Sequence, residues 1–132
     1  EALGASQLIW RYWSESGSVT TDLMFLRGKQ ALAEGQLNMG LARFTAVVEL
    51  DSNFAEGWNK RATVLYLMGD YEGSLSDVYR TLELEPRHFG ALSGMGMIFM
   101  ALEKPKKAIS AFRRAAEPDA PCARSGTLTR RG

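Results

Sequence analysis

The sequence predicts an all-α fold: a superhelical solenoid of three helix-turn-helix repeats with an N-terminal capping helix. Three observations predict it. Residue types recur every 34 positions: Gly28, Ala62 and Gly96; Phe44, Val78 and Phe112; Leu41, Leu75 and Ile109; Gly40, Ser74 and Ala108. A period of that length, with small and bulky residues in register, marks stacked helical hairpins. Turn positions recur at the same interval, with Gly35 and Gly69 answered by Glu103 in the third copy. Strand signals are missing, with no sustained two-residue alternation and no Asn-Gly or Asp-Gly hairpin.

Residues 1–20 lie outside the repeat and read as a capping helix followed by a linker. Leu8, Ile9, Tyr12 and Trp13 can share one apolar face, and the Ser14–Ser18 stretch breaks the helix. A solenoid end must cover an otherwise exposed core, which gives the segment its purpose. If Trp10 and Trp13 do not cap, they offer a surface for a homodimer.

The three copies occupy 21–54, 55–88 and 89–117, the last losing register in the mid-110s. In the first, Leu23, Leu26, Gln30 and Ala33 fall on related turns of helix A. Leu37, Leu41, Phe44 and Val48 mark helix B at three- and four-residue steps. Gly35 ends helix A in the left-handed conformation that costs glycine little. The second copy repeats this with Gly69. The third substitutes Glu103-Lys104 and then Pro105, which suits the first turn of a helix. Asp51-Ser52-Asn53 punctuates the first link, and Pro86 halts the second B helix at Glu85.

Gly28, Ala62 and Gly96 lie midway along helix A, opposite Gly40, Ser74 and Ala108 early in helix B. Small residues there let two helices approach to roughly 8–10 Å. Phe44, Val78 and Phe112 fill the space beyond the contact. Gly90, Gly94 and Gly96 share one helix, although an interior glycine costs about 1 kcal/mol relative to alanine. Close packing explains Gly96; a third repeat that opens easily is the other reading. Residues 118–132 contain Pro118, Pro121, Gly126 and Gly132 and little that packs, and read as a disordered basic tail.

Composition narrows the function. At 132 residues and 45% hydrophobic content the chain can bury a core, and its net charge of +1 creates no general pull toward nucleic acid or membrane. The charge is unevenly spread, with 13 acidic and 8 basic side chains up to residue 103, then 2 acidic and 8 basic. Lys104, Lys106, Lys107, Arg113 and Arg114, together with the basic tail, are the candidates for a polyanion contact, a disfavoured alternative. No apolar run approaches a membrane span. His88 and Cys122 are the only histidine and cysteine, too few for a nucleophile-base pair or a metal set. No phosphate loop or dinucleotide fingerprint occurs. The chain is therefore not expected to be an enzyme or to need a cofactor, and the sequence assigns no compartment.

In residues 21–116 the chain resembles the tetratricopeptide repeat (TPR) family, small and poorly characterised bacterial or organellar members in particular. The second copy carries the likeness best, with Trp58, Ala62, Leu65, Gly69, Tyr71, Ser74 and Pro86 at the family's spacings. Departures are Val47 and Thr81 for a usual alanine, Ser52 for a usual proline and Pro105 for a usual aromatic. The resemblance implies a right-handed superhelix whose A helices line a concave face. It implies an ion pair between Arg61, just before Ala62, and Asp77. In the first copy Arg27 meets Arg43 instead, and no pair can form.

The resemblance further implies a protein-protein interaction scaffold that docks a peptide or helix of a partner protein. By register the groove comprises Phe25, Lys29, Asn59, Lys60, Thr63, Tyr66, Ser93, Met97 and Met100. Asn59 and Lys60 can bond a peptide backbone or carboxylate, and the methionines can repack around an apolar side chain. Some family members grip the acidic tail of heat-shock chaperones with lysine, asparagine and arginine. The matching positions here are Phe25, Lys29, Lys60, Gly90 and Gly94, so that clamp is not expected. A self-associating structural module is the alternative role.

Overall fold

Three helical hairpins make up residues 19–117, the part of the chain that a computed structural model describes. The first joins α1 (Val19–Ala33) to α2 (Leu37–Leu50). The second joins α3 (Ala55–Leu67) to α4 (Tyr71–Leu84), and the third α5 (Phe89–Ala101) to α6 (Pro105–Ala116). Val19 and Thr20 belong to α1 rather than to a linker. Their inclusion puts Asp22 in the first turn, where a carboxylate complements the helix dipole. The expected capping helix with Trp10 and Trp13, and the expected basic tail with Cys122, lie outside the described residues.

One turn closes all three hairpins. Gln36 N–H reaches back to Ala31 C=O at 2.8 Å and Gly35 N–H to Leu32 C=O at 3.1 Å. Asp70 and Gly69 repeat these bonds to Leu65 and Tyr66, and Lys104 and Glu103 to Phe99 and Met100. This paired capping of orphan carbonyls requires a left-handed residue in the middle. Gly35 and Gly69 supply it at φ 75° and 88°; Glu103 holds the same conformation at φ 62° with a Cβ attached. Helix starts are satisfied less uniformly. Asp70 accepts a bond from Gly73 N–H at 2.9 Å, His88 Nδ1 accepts one from Ala91 N–H at 3.1 Å, and Pro105 opens α6. Between hairpins, Glu85 is extended ahead of Pro86, which stops α4.

The recurring small and bulky positions meet in space. A Cβ on Gly28 would lie 2.6 Å from the Phe44 ring, and Gly96 sits beneath the Phe112 ring in the same way. The second hairpin makes the contact with Ala62 and Val78, both buried. Phe44 is fully buried, whereas Phe112 remains 38% exposed. The expectation that Phe112 fills interior space is thus only half met, because no fourth hairpin follows among the described residues to cover its outer edge. Ala62 and Val78 join Leu92, Met95, Ile98, Phe99, Ala108, Ala111 and Ala115 in a core shared by the second and third hairpins.

Helix contacts set the shape. Each helix packs on its chain neighbours, and α3 also touches α1 and α5. Among the described residues no even-numbered helix touches another even-numbered one. The odd helices therefore crowd together along one side while the even ones splay, which makes the odd side concave.

A polar cluster ties the first two hairpins together. Arg61 donates to both Asp77 oxygens, at 2.8 and 3.2 Å, and to Thr45 Oγ1 at 3.5 Å. Its guanidinium and that of Arg80 lie 5.3 and 5.8 Å from the Trp58 ring. The Trp58 indole N–H donates to Ser52 C=O at 2.9 Å, fastening the link that lacks the usual proline. Burial pushes the Asp77 carboxyl above its ordinary value. The hydrogen bond and charge of Arg61 reverse this only in part, and Asp70 adds a small upward push. In the first hairpin Arg43 turns instead to Met24 Sδ, at 4.0 Å.

Candidate binding groove

The concave side is built from α1, α3 and α5, and its character changes along its length. At the α1 end the chain fills its own groove. Phe25 is half-buried, its ring 5.1 Å from Phe54 and 5.8 Å from Phe44. It does not stand free in the groove as its register position suggests, because an aromatic side chain on α1 is long enough to lean onto α2 and the start of α3. Lys29 is exposed and holds its ammonium 4.9 Å above the Phe25 ring.

In the middle, α3 presents Glu56, Asn59, Lys60 and Tyr66, all half-buried, and Thr63, which is exposed. Glu56 collects two partners. His88 Nε2 lies 2.7 Å from one oxygen and Lys60 Nζ 3.9 Å from the other. Because His88 Nδ1 accepts the Ala91 N–H, its proton sits on Nε2 and donates to Glu56. This imidazole thus bolts the first turn of α3 to the first turn of α5. The Asn59 side chain is half-buried and its carboxamide has no hydrogen-bond partner among the described residues. Tyr66 is half-buried against Tyr71, with ring centroids 5.4 Å apart.

Between α3 and α5 a recess of about 90 Å³ opens from the groove toward α4. Asn59, Ala62, Thr63 and Tyr66 form one wall, Gly90, Gly94, Met97 and Ile98 the other, and Ser74 and Val78 the floor. Of the expected groove residues, the recess gathers Asn59, Thr63, Tyr66 and Met97. Phe25, Lys29, Lys60, Ser93 and Met100 lie outside its lining; Ser93 is half-buried and Met100 exposed. Ser74, Val78 and Ile98 carry no groove signal in the sequence. The usable signal was a difference in volume, since an alanine methyl and a valine isopropyl fill less space than the Phe44 ring does in the first hairpin.

Among the described residues no group of three or more His, Cys, Asp or Glu side chains is placed to hold a metal ion. None of their helices is long and apolar enough to cross a membrane.

No family model matches the chain. It is 37% identical over 102 residues to a TPR repeat-containing protein of Rhizobium etli, an alignment covering 77% of this chain and 50% of that one. The chain spans at most half the length of the curated relatives it matches. Solved structures share its fold, two of which hold peptides. The TPR2B domain of yeast Sti1 in complex with an Hsp70 peptide superposes with a TM-score of 0.75 at 18% identity, over 80% of this chain and 85% of that one. The first TPR domain of Spaghetti (RPAP3), bound to the HSP90 peptide SRMEEVD, gives 0.73 at 18% identity, over 76% and 79%.

Proposed function

Because the chain belongs to the tetratricopeptide repeat family, as three hairpins of this type and the Rhizobium relative show, we propose that it is a protein-interaction scaffold whose concave groove holds an extended segment of a partner protein. The observation that carries this reading is the Asn59 carboxamide, half-buried on the central groove helix without a partner of its own. Its polar atoms stay within reach of solvent and gain nothing from the fold, so a peptide N–H or C=O can take the place of water there with a bond worth about 0.5–1.5 kcal/mol. Lys60 beside it and Lys29 on α1 favour acidic segments. Two of the structural neighbours hold chaperone peptides, which supports an extended occupant. Gly90 and Gly94, which lack side chains, argue for a ligand other than an acidic tail clamped by cations.

The test is selection of a random dodecapeptide library on the full chain and on Asn59→Ala/Lys60→Ala. Enriched peptides are expected to bind the double variant at least tenfold more weakly. Failure of the full chain to enrich any peptide, or equal binding to both proteins, would overturn the groove reading.

A further inference from the structure

We propose that the recess between α3 and α5 is a socket for one aliphatic side chain of leucine or methionine size, carried by an extended partner segment. The inference rests on the groove reading above and adds what the groove selects. Glycine explains why the socket is open. Gly28, Gly57 and Gly96 are held small by their own surroundings: an added Cβ would strike Phe44, Val47 or Phe112. Gly94 is different, because an added Cβ would meet nothing within 4 Å. At Gly90 it would approach only the His88 ring at 3.2 Å and the Asn59 carboxamide at 3.4 Å. Glycine is the poorest helix former after proline, so exposed Gly90 and half-buried Gly94, four residues apart, disfavour the helix, and at Gly94 no close packing calls for it. What they do is leave the α5 wall bare.

The lining sets the chemistry. Ser74 Oγ donates to Ala62 C=O at 2.7 Å, and Thr63 Oγ1 donates to Asn59 C=O at 3.2 Å. Both hydroxyl protons are thus committed to the protein's own backbone. What remains toward the opening is Val78, Ile98, the Tyr66 ring and the Met97 thioether, an apolar and partly adaptable surface. At roughly 30 Å³ per water, the recess of about 90 Å³ has room for about three waters. That suits a branched or linear aliphatic group better than the bulkier indole. At the rim, Asn59 bonds the backbone next to the inserted side chain. One repeat away, Lys29 occupies the register position of Thr63 and Met97, so the flanking residue over α1 is favoured to be acidic. The Asn59 carboxamide at the rim can donate to a peptide C=O and accept from a peptide N–H, which favours a peptide over a lipid or a free aliphatic molecule.

A positional-scanning library of acetylated nonapeptides tests this on the full chain, each pool fixing one residue at one position. Pools with Leu, Met or Ile fixed at one position are expected to be retained at least tenfold over pools with Trp or Lys there. Gly94→Leu, which fills the recess from its own wall and improves helix propensity, is expected to lose at least tenfold affinity with an unchanged or higher melting temperature. Met97→Ala, which widens the recess, should shift the preference toward Phe. Retention that shows no aliphatic preference, or that neither variant alters, overturns the socket while leaving the groove reading intact. No retention of any pool overturns both. Nuclear Overhauser contacts from the Met97 methyl to Trp10 or Trp13 in the free chain would make the occupant the chain's own N-terminal segment. Sedimentation as a dimer that Gly94→Leu dissolves would make it a second copy. Either result overturns the proposal.

Discussion

The first and second hairpins solve the same packing problem with different residues. In the first, Gly28 accepts the Phe44 ring and Phe25 leans onto it, so aromatic bulk fills both the interior and the adjoining groove. In the second, Ala62 and Val78 take those places and leave the recess beside α5. Polar groups differ in parallel, with Arg61 and Asp77 paired across the second hairpin and Arg43 reaching only Met24 in the first. A 34-residue period thus fixes where helices lie, while the summed volume at a few of its positions decides whether the concave face is closed or open.

The largest effect is expected at the ion pair that only the second hairpin has. The Asp77 side chain is 4% exposed and that of Arg61 24%, so the cost depends on which group is stranded. Arg61→Ala should lose about 3 kcal/mol in chemical denaturation at pH 7, because water cannot reach the abandoned carboxylate. Asp77→Ala should lose about 1–2 kcal/mol, since Arg61 can turn to solvent and Thr45. The reverse order would break the assignment of Asp77 as the buried member.

Acidity sharpens the same point. The folded-state pKa of Asp77 is raised above 3.8, so its contribution to stability is complete below that value and is lost as pH climbs through the folded-state pKa. Relative to Asp77→Asn, the wild type should therefore be more stable at pH 3.5 than at pH 7. Arg61→Ala removes the influences that lower the pKa and should carry the window to higher pH. A carboxyl-carbon NMR titration of Asp77 below 3.8 would contradict the sign.

The aromatic exchange gives the next effect. Gly28→Ala should destabilise by about 1–3 kcal/mol through collision with the Phe44 ring. Phe44→Val should cost about 2 kcal/mol through the cavity it leaves. Combined, the two changes recreate the second hairpin's Ala62 and Val78 arrangement. The double variant should lose at least about 1 kcal/mol less than the two costs together. Strict additivity would show that the hairpins are not alternative solutions of one contact.

The smallest effect concerns the turns. Glu103→Gly should stabilise by roughly 0.5–1 kcal/mol by relieving a left-handed residue that bears a Cβ. Gly69→Glu should cost a similar amount, read in the same melts.

Much of the architecture was legible because it depends on local rules. Helix period, the glycine turns at 35 and 69, and Pro86 after Glu85 each act within a few residues, and the repeat stated the helix period three times over and the glycine turn twice. That Val19 and Thr20 belong to α1 was missed because helix ends carry weak signals. The recess was illegible for another reason. It is a deficit summed over Ala62, Val78, Gly90 and Gly94 on three helices, and no spacing encodes a sum of missing atoms. Register gave the position of Phe25 on α1 but could not show that its ring would lean onto Phe44 and Phe54.

The outer helices α2, α4 and α6 rest on inner ones and never on each other. Substitutions on their outward faces should accordingly add nearly independently, with no direct contact to carry a change from one outer helix to the next. Evolution can rewrite the back of this rod one rib at a time, while its spine must be edited as a whole.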